Sequence, residues 1–208
     1  KELQFGSILI DMGFEKTSLG LFKNLALVHS ITLPLGINHI TKDISKVCSL
    51  SLDESEVIRN SIDFYFENNQ NIFDENNYLK NDYFTHSSYR KISKDLILNV
   101  VKARLDEIFE KVKKQIIVPE FNLNSGVGFL LVGGGSKLFN IEKNCEKFFG
   151  QNIKKINENI NEKEKIFSSC LGALKIIKDG WETEAIPEKV DKNAQKISFF
   201  SKIFKFNK

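Results

Sequence analysis

The pattern of hydrophobic and polar positions predicts three strands at the beginning of the chain. Residues 3–11, 18–22 and 25–33 are rich in β-favouring side chains, and polar turns separate them. Two helices are predicted next, one from about residue 38 and one over residues 51–58. The second begins with a Ser followed three residues later by a Glu, which is the pattern of a capping box.

A long helix is predicted over residues 94–117, with Ser93 as its N-terminal cap. Its apolar side chains recur at spacings of three and four: Leu96, Ile97, Val100, Val101, Leu105, Ile108, Phe109 and Val112. Residues 61–91, before this helix, are rich in Asn, Asp and aromatic residues without a clear period. We expect them to be a small excursion, part hairpin and part loop.

The last third of the chain alternates between strands and helices. An all-apolar strand is predicted over residues 129–132 and a helix over residues 137–149; a weak strand at Ile153 then precedes a core helix over residues 166–178. Three antiparallel strands followed by alternating strands and helices predict an α/β layer with a mixed sheet. The same element order belongs to one lobe of the actin-like, ribonuclease-H-like fold, and we expect residues 1–180 to form such a lobe.

Composition is that of a globular protein and excludes several classes. The 208 residues carry 30 Lys and Arg against 27 Asp and Glu, and a net charge of +3 is too small to indicate nucleic acid as a partner. No apolar run approaches the ~18 residues that a membrane-spanning helix needs, and no segment resembles a signal peptide. Because the only Met is Met12, we expect an initiator and an upstream region to precede Lys1.

The cysteines are far apart and odd in number, which is typical of a reducing cytosol where thiols act as small buried hydrophobes: they are Cys48, Cys145 and Cys170. The three histidines form no ligand spacing with them, so we expect no metal site of the Cys/His type. The sequence predicts no catalytic residue.

Two glycine-containing turns follow predicted strands. The first runs from Asp11 through Gly13 to Lys16 and Thr17; such a turn offers N–H groups to a phosphate, and the Asp carboxylate holds a metal ion through water. An ordinary hairpin turn is the alternative. The second turn comprises Gly133, Gly134, Gly135 and Ser136. Consecutive glycines let a backbone approach a flat or bulky group, although close helix–sheet packing also explains them.

A charged pair, Glu56 and Arg59, is three residues apart on one face of the second helix. A solvated surface pair is the simplest interpretation. The pair belongs to a ligand site only where that helix lines a nucleotide cleft.

The end of the chain has the pattern of an amphipathic membrane helix. Residues 192–208 contain five Lys and no acidic residue. At about 100° per residue, six apolar side chains fall in one half-circle and three lysines in the other: Ile197, Phe199, Phe200, Ile203, Phe204 and Phe206, and Lys202, Lys205 and Lys208. This favours a flat helix over residues 197–208 on an anionic membrane, after a flexible linker over residues 181–196. A helix docked on the protein's own core is the alternative.

These motifs together resemble the C-terminal half of the FtsA family, bacterial actin-like cell-division proteins, across nearly all of the chain. Ile10–Gly13 is similar to the family's second phosphate motif, Asn38–Ile44 to its strand-to-helix segment, Val101–Ile108 to its long-helix signature and Val132–Ser136 to its adenosine motif. The tail resembles its membrane-targeting helix. The resemblance implies a scaffold that tethers FtsZ filaments to the cytoplasmic side of the bacterial inner membrane at the division site, and that self-associates into filaments.

The resemblance also implies ligands and partners for particular residues. ATP with Mg is expected in a cleft of which this lobe supplies half, with adenosine near Gly133–Ser136 and the base or ribose near Glu56 and Arg59. The phosphates are expected near Asp11, Gly13, Lys16 and Thr17, with Asp11 holding Mg through water. Arg104 matches the Arg of the long-helix signature, and we expect it to meet the C-terminal peptide of FtsZ.

The phosphate turn departs from the family pattern. Phe14, Glu15 and Lys16 stand where the family continues with Gly-Gly-Thr, and Ile37 follows Gly36 where the family usually has a second Gly. A Phe ring obstructs the approach of phosphate, and the Glu carboxylate repels a polyphosphate, which the Lys partly offsets. We therefore expect weakened ATP binding and at most a weak ATPase. The alternatives are a pilus-assembly PilM-like docking protein or a chaperone-type actin-like ATPase.

Overall fold

A five-stranded mixed sheet forms the centre of the structure, a computed structural model of the chain. The strands are β1 (Ser7–Met12), β2 (Thr17–Lys23), β3 (Ala26–Leu33), β4 (Gly128–Val132) and β5 (Ile153–Lys155), and their order across the sheet is β3-β2-β1-β4-β5. The structure describes residues 6–24, 26–67, 69–116, 128–151, 153–155 and 168–179.

The central strand, β1, pairs with one antiparallel and one parallel neighbour. It is antiparallel to β2 and parallel to β4, with Asp11 opposite Val132. Alternate side chains of β1, those of Ile8, Ile10 and Met12, are fully buried because successive residues of a strand face opposite sides of the sheet. The predicted mixed sheet is confirmed, and the carboxyl ends of β1 and β4 lie side by side.

The described helices are α1 (Ile37–Cys48), α2 (Leu52–Ser61), α3 (Lys94–Ile116), α4 (Ile141–Phe149) and α5 (Ser168–Asp179), with two short 3-10 turns at Asn81–Tyr83 and Gly134–Lys137. The first three begin close to where the sequence predicts them. The capping box of α2 forms as predicted: the Ser51 Oγ accepts from the Glu54 N–H at 3.1 Å, and the Glu54 Oε2 accepts from the Ser51 N–H at 2.8 Å.

The core face of α3 follows the predicted periodicity. Its buried side chains are those of Ile97, Val101, Leu105, Ile108, Phe109, Val112 and Ile116. Leu96, which the sequence places on the same stripe, is 41% exposed. It lies about 100° around the helix from Ile97, on the flank of the buried face.

The helix predicted over residues 137–149 is interrupted. A 3-10 turn comes first, and α4 begins only at Ile141, because Asn140 has a left-handed backbone (φ 60°) that ends one helical segment before the next begins.

The helix predicted over residues 166–178 is present as α5, but the prediction that it belongs to the core is wrong for its described side chains. Leu171, Leu174 and Ile177 of α5 are all exposed. Cys170 on the same helix is also exposed, whereas the other two cysteines are buried as predicted.

The excursion over residues 61–91 contains a short hairpin. Phe73 forms an antiparallel bridge with Leu79. Asp74 closes the turn between them, since its Oδ1 accepts from the N–H groups of Asn76 and Tyr78 at 2.9 and 2.8 Å.

Glu54 fastens the rest of the excursion to α2. Its side chain is 2% exposed, and its Oε1 accepts from the N–H groups of His86 and Ser87, each at 2.8 Å. Its Oε2 accepts from the Ser87 hydroxyl at 2.6 Å. Burial alone would raise the pKa of this carboxyl, but the hydrogen bonds outweigh it and hold the pKa well below its usual range.

The predicted linker over residues 181–196 and the predicted membrane-targeting segment over residues 197–208 lie outside the described residues. Within the part of the chain that the structure describes, no helix is both long and apolar enough to cross a membrane.

Candidate functional site

The two glycine-containing turns meet at the carboxyl ends of β1 and β4. Gly133 has a positive φ of 81°, and a Cβ added to it would overlap Oδ1 of Asp11 and lie 2.7 Å from the carbonyl oxygen of Met12. A larger residue is therefore excluded at Gly133 both by its backbone conformation and by the close approach of β1. Parallel pairing of β1 and β4 brings these turns together from distant parts of the chain.

The three consecutive glycines differ in their surroundings. A Cβ on Gly135 would lie 2.6 Å from the Met12 Cβ and 2.9 Å from Cγ2 of Ile37, so this glycine is required by packing. A Cβ on Gly134 would meet nothing within 4 Å. Ser136 closes the turn, because its hydroxyl donates to the Gly133 carbonyl at 2.7 Å. Packing thus explains two of the glycines, whereas no contact requires a glycine at Gly134.

The turn after β1 is packed against the beginning of α1. The Gly13 N–H donates to the Lys16 carbonyl at 2.8 Å, and the Gly13 carbonyl accepts from the Ile37 N–H at 3.1 Å. The Phe14 carbonyl accepts from the Asn38 N–H at 2.8 Å. The first N–H groups of α1, which at a free helix end are available to an anion, therefore bond to the turn itself.

The side chains of this turn point in different directions. Phe14 is 51% exposed and Lys16 is exposed. Thr17 is fully buried, and its hydroxyl donates to the Leu35 carbonyl at 2.7 Å. Of the residues that the sequence assigns to phosphate, Lys16 has a cation at the surface, while the Thr17 hydroxyl bonds within the chain.

Glu15 binds to the first two turns of α1. Its Oε1 accepts from Nδ2 of Asn38 at 2.6 Å, and both carboxylate oxygens accept from Nζ of Lys42, at 3.1 and 3.3 Å. The hydrogen bond from Asn38, followed by that from Lys42, lowers the pKa of Glu15. Sequence reasoning did not identify these partners. Their four-residue spacing, which places both on one face of α1, was the available signal.

Glu56 and Arg59 form the predicted pair on α2, with Arg59 Nη2 donating to Glu56 Oε1 at 2.8 Å. They are not a solvated surface pair, because Arg59 is only 3% exposed. Its Nη1 donates to the Thr41 hydroxyl on α1 at 2.7 Å, and the side chain of Asn60 accepts from the same guanidinium. Arg59 therefore holds α2 against α1.

Arg104 lies on α3 and contacts two carboxylates of the chain. Its Nε and Nη2 donate to the two oxygens of Asp43, and its Nη1 pairs with Glu107 one turn along α3. The hydrogen bonds that Arg104 donates to Asp43 raise the pKa of Arg104. Asp43 belongs to the segment that resembles the family's strand-to-helix motif, and sequence reasoning did not connect the two.

The phosphates and Mg of ATP do not fit the turn after β1. The backbone at Gly134 has open space beside it. The phosphate side does not fit, because the N–H groups at the start of α1 bond to the turn and a carboxylate stands beside them. No group of three or more His, Cys, Asp and Glu side chains within the described ranges is arranged to hold a metal ion.

Comparison with known proteins identifies the family. The family model described as cell division protein FtsA matches residues 8–172. This chain belongs to the FtsA family. Relatives include FtsA of Enterococcus hirae, 29% identical over 154 residues, and FtsA of Agrobacterium fabrum, 24% identical over 156 residues. Each alignment covers 74% of this chain and 34% of the relative, so the chain spans about a third of the length of these FtsA proteins.

Solved structures confirm the predicted actin-like fold. MreB 5 of Spiroplasma citri bound to AMPPNP has a TM-score of 0.60 at 20% identity, over 86% of this chain and 54% of that one. The PilM-PilN type IV pilus biogenesis complex gives 0.58 at 19% identity, over 84% and 46%. A MamK double helical filament gives 0.59 at 14% identity, over 83% and 54%. The chain therefore combines an actin-like fold with membership of the FtsA family.

Proposed function

We propose that this FtsA-family chain is part of a scaffold that tethers FtsZ filaments to the cytoplasmic side of the inner membrane at the division site. The family match over residues 8–172 carries the proposal. The amphipathic pattern of residues 197–208 supports the membrane part, because it puts six apolar side chains opposite three lysines. Residues 1–180 act as the actin-like lobe and residues 181–196 as the tether.

The energetics favour a helix lying flat on the membrane. Full burial of an Ile or Phe side chain contributes ~1.5–3 kcal/mol, so even half burial of six outweighs the cost of fixing a short helix. Each lysine near an anionic surface adds about 1 kcal/mol, and salt weakens this contribution. Twelve residues are too few to span a bilayer, which needs ~20.

Liposome flotation tests the membrane part. Phe200→Glu together with Phe204→Glu places two charges in the apolar arc and should release the protein from anionic vesicles. Ser198→Glu with Ser201→Glu introduces the same charge on the polar side, and at moderate salt it should float more strongly than the Phe double variant. Flotation of the Phe double variant as strong as that of the parent would mean that the segment docks on the protein's own core.

For nucleotide, we propose a cleft in which the actin-like lobe meets adenosine through Gly133–Ser136, with Glu56 and Arg59 near the base or ribose. The phosphates of a bound nucleotide would have to lie outside the turn formed by Asp11, Gly13, Lys16 and Thr17, because the Gly13 N–H and the Thr17 hydroxyl bond within the chain. The open space at Gly134 supports the adenosine end, and the AMPPNP bound to MreB 5 shows that a relative of the fold takes a nucleotide. We expect this chain to bind ATP weakly or not at all, with at most weak hydrolysis in the full-length protein. Micromolar affinity for Mg-ATP in a calorimetric titration of this chain would refute that expectation.

For partners, we propose the C-terminal peptide of FtsZ, bound along α3 near Arg104, and self-association into filaments. Family membership supports the first. The filament formed by MamK, which shares the fold, supports the second.

A PilM-like docking role is the second candidate, favoured by the structural similarity to the PilM-PilN complex. Liposome binding separates the two, because only the scaffold proposal needs residues 197–208 to bind lipid. Flotation that depends on the apolar arc supports the FtsZ tether.

A further inference from the structure

Glu15 supplies a negative charge that α1 lacks. A helix N-terminus favours an anion, yet the first turn of α1 contains no acidic residue. The carboxylate of Glu15 comes from the turn between β1 and β2 and binds the Asn38 amide, in the first turn of α1, and the Lys42 ammonium, one turn later. The groups at this end of α1 that attract an anion are thus already bound to one.

The backbone at this end of α1 offers no further donors from its first three residues. The N–H groups of Ile37 and Asn38 bond to the carbonyls of Gly13 and Phe14, and that of His39 bonds to the Gly36 carbonyl. Among the side-chain donors at this end of α1, Glu15 holds those of Asn38 and Lys42, while the Lys16 ammonium of the turn is exposed. A phosphate that binds Asn38 and Lys42 has to displace the Glu15 carboxylate, which is also negatively charged.

We propose that the Glu15 carboxylate occupies the anion-binding position of this turn and excludes polyphosphates from it. The cleft would then bind a nucleoside in preference to the corresponding nucleoside triphosphate. The preference for a nucleoside rests on the proposed nucleotide cleft. The exclusion of polyphosphates from the turn depends only on the contacts of Glu15. Glu15 and Lys42 are both about half exposed, so their substitution leaves the core untouched.

The first test uses inorganic pyrophosphate as the probe, on the full chain. Glu15→Ala frees the Asn38 and Lys42 donors, and pyrophosphate should bind this variant about tenfold more tightly than the parent. Glu15→Gln, which removes only the charge, should show a smaller gain. Circular dichroism checks that both variants are folded, and pyrophosphate should raise the melting temperature of Glu15→Ala but not of the parent.

Two controls decide whether the gain belongs to this position. Glu15→Ala combined with Lys42→Ala removes the cation and should return pyrophosphate binding to the parent level. Glu75→Ala removes an exposed carboxylate of the excursion and should change nothing. Equal pyrophosphate affinity in the parent and in both Glu15 variants overturns the proposal, as does an equal gain in the Glu75 variant.

The second test compares adenosine with ATP. The parent should bind ATP no more tightly than adenosine, and Glu15→Ala should strengthen ATP binding alone. ATP binding tenfold tighter than adenosine in the parent overturns the selectivity. Failure of adenosine to bind either protein overturns the selectivity and the proposed cleft together, while the pyrophosphate result still decides whether Glu15 closes the turn.

Discussion

The guanidinium of Arg104 holds the carboxylate of Asp43 through two hydrogen bonds, from Nε to Oδ2 at 2.6 Å and from Nη2 to Oδ1 at 3.1 Å. The two residues come from α3 and α1, and both side chains are more than two-thirds buried. Two parallel N–H···O bonds fix both distance and orientation, so this pair sets how the two helices lie against each other.

Asp43→Ala should therefore lower the free energy of unfolding by about 1.5–3 kcal/mol, the range for hydrogen bonds to charged groups. Lys111→Ala on α3 is the control, since its 3.6 Å contact with Glu107 is exposed and should contribute no more than about 0.5 kcal/mol. Urea denaturation measures both. Equal losses in the two variants would show that the pair with Asp43 is no stronger than a surface contact.

If Arg104 meets the FtsZ peptide, it must exchange Asp43 for a carboxylate of the peptide. Arg104→Glu should then weaken peptide binding roughly tenfold or more by charge reversal. Lys111→Glu makes the same charge change farther along α3 and should have a smaller effect. Fluorescence anisotropy with a labelled peptide measures the affinities, and the melting temperature of each variant shows whether it is folded.

Asp43→Asn separates the two roles of Arg104. It removes the competing charge, so a peptide-binding Arg104 should bind the peptide more tightly in this variant. Unchanged or weaker binding in Asp43→Asn would place the peptide on another surface and leave Arg104 with a structural role.

Stability should depend on pH through Glu54. Its pKa lies below the ordinary 4.5 because His86, Ser87 and Ser51 donate to the ionised form, despite its burial. A lowered pKa stabilises the folded state fully above pH 4.5, and this contribution is lost as the pH falls further. Glu54→Gln should be less stable than the parent at pH 7 by about 1.5–3 kcal/mol, and this gap should narrow at about pH 3.5.

Urea midpoints at the two pH values measure that gap. Glu75→Gln changes an exposed carboxylate of the excursion and should show little difference at either pH. A gap for Glu54→Gln that is the same at both pH values would mean that ionisation of Glu54 is not what stabilises the fold.

The three glycines of the second turn should respond differently to alanine. Gly133→Ala and Gly135→Ala force a Cβ against β1 and should each cost about 1–3 kcal/mol of unfolding free energy. Gly134→Ala meets open space and should stay within about 0.5 kcal/mol of the parent. If the proposed cleft is correct, Gly134→Ala should nevertheless weaken adenosine binding. Equal destabilisation by all three variants would contradict the distinct surroundings of Gly134.

Features that depend on neighbouring residues were predictable from the sequence. The capping box needs only Ser51 and Glu54, three residues apart, and the buried face of α3 needs only helical periodicity. The interruption before α4 was missed because Asn140 takes a left-handed conformation, which neither periodicity nor propensity specifies. The exposure of α5 was missed because hydrophobicity does not say whether a partner covers the helix.

Features that depend on tertiary contacts were not predictable in the same way. The sequence places Arg104 on α3 but not beside Asp43, which lies 61 positions earlier. It marks Glu15 as a departure from the phosphate motif but does not show that α1 binds its carboxylate. The two glycine-containing turns were identified separately, and only the pairing of β1 with β4 shows that they meet.

The pairing of β1 with β4 also affects the order in which the sheet folds. The hairpins from β1 to β3 join residues close in sequence and can form as soon as they leave the ribosome, whereas β4 begins at Gly128, more than a hundred residues after the strand it pairs with. Until β4 has been synthesised, the edge of β1 that will pair with it has unpaired N–H and C=O groups. Such an edge is a template for pairing with another chain. Aggregation during synthesis should therefore arise at β1, and slowing translation of residues 34–127 should increase it.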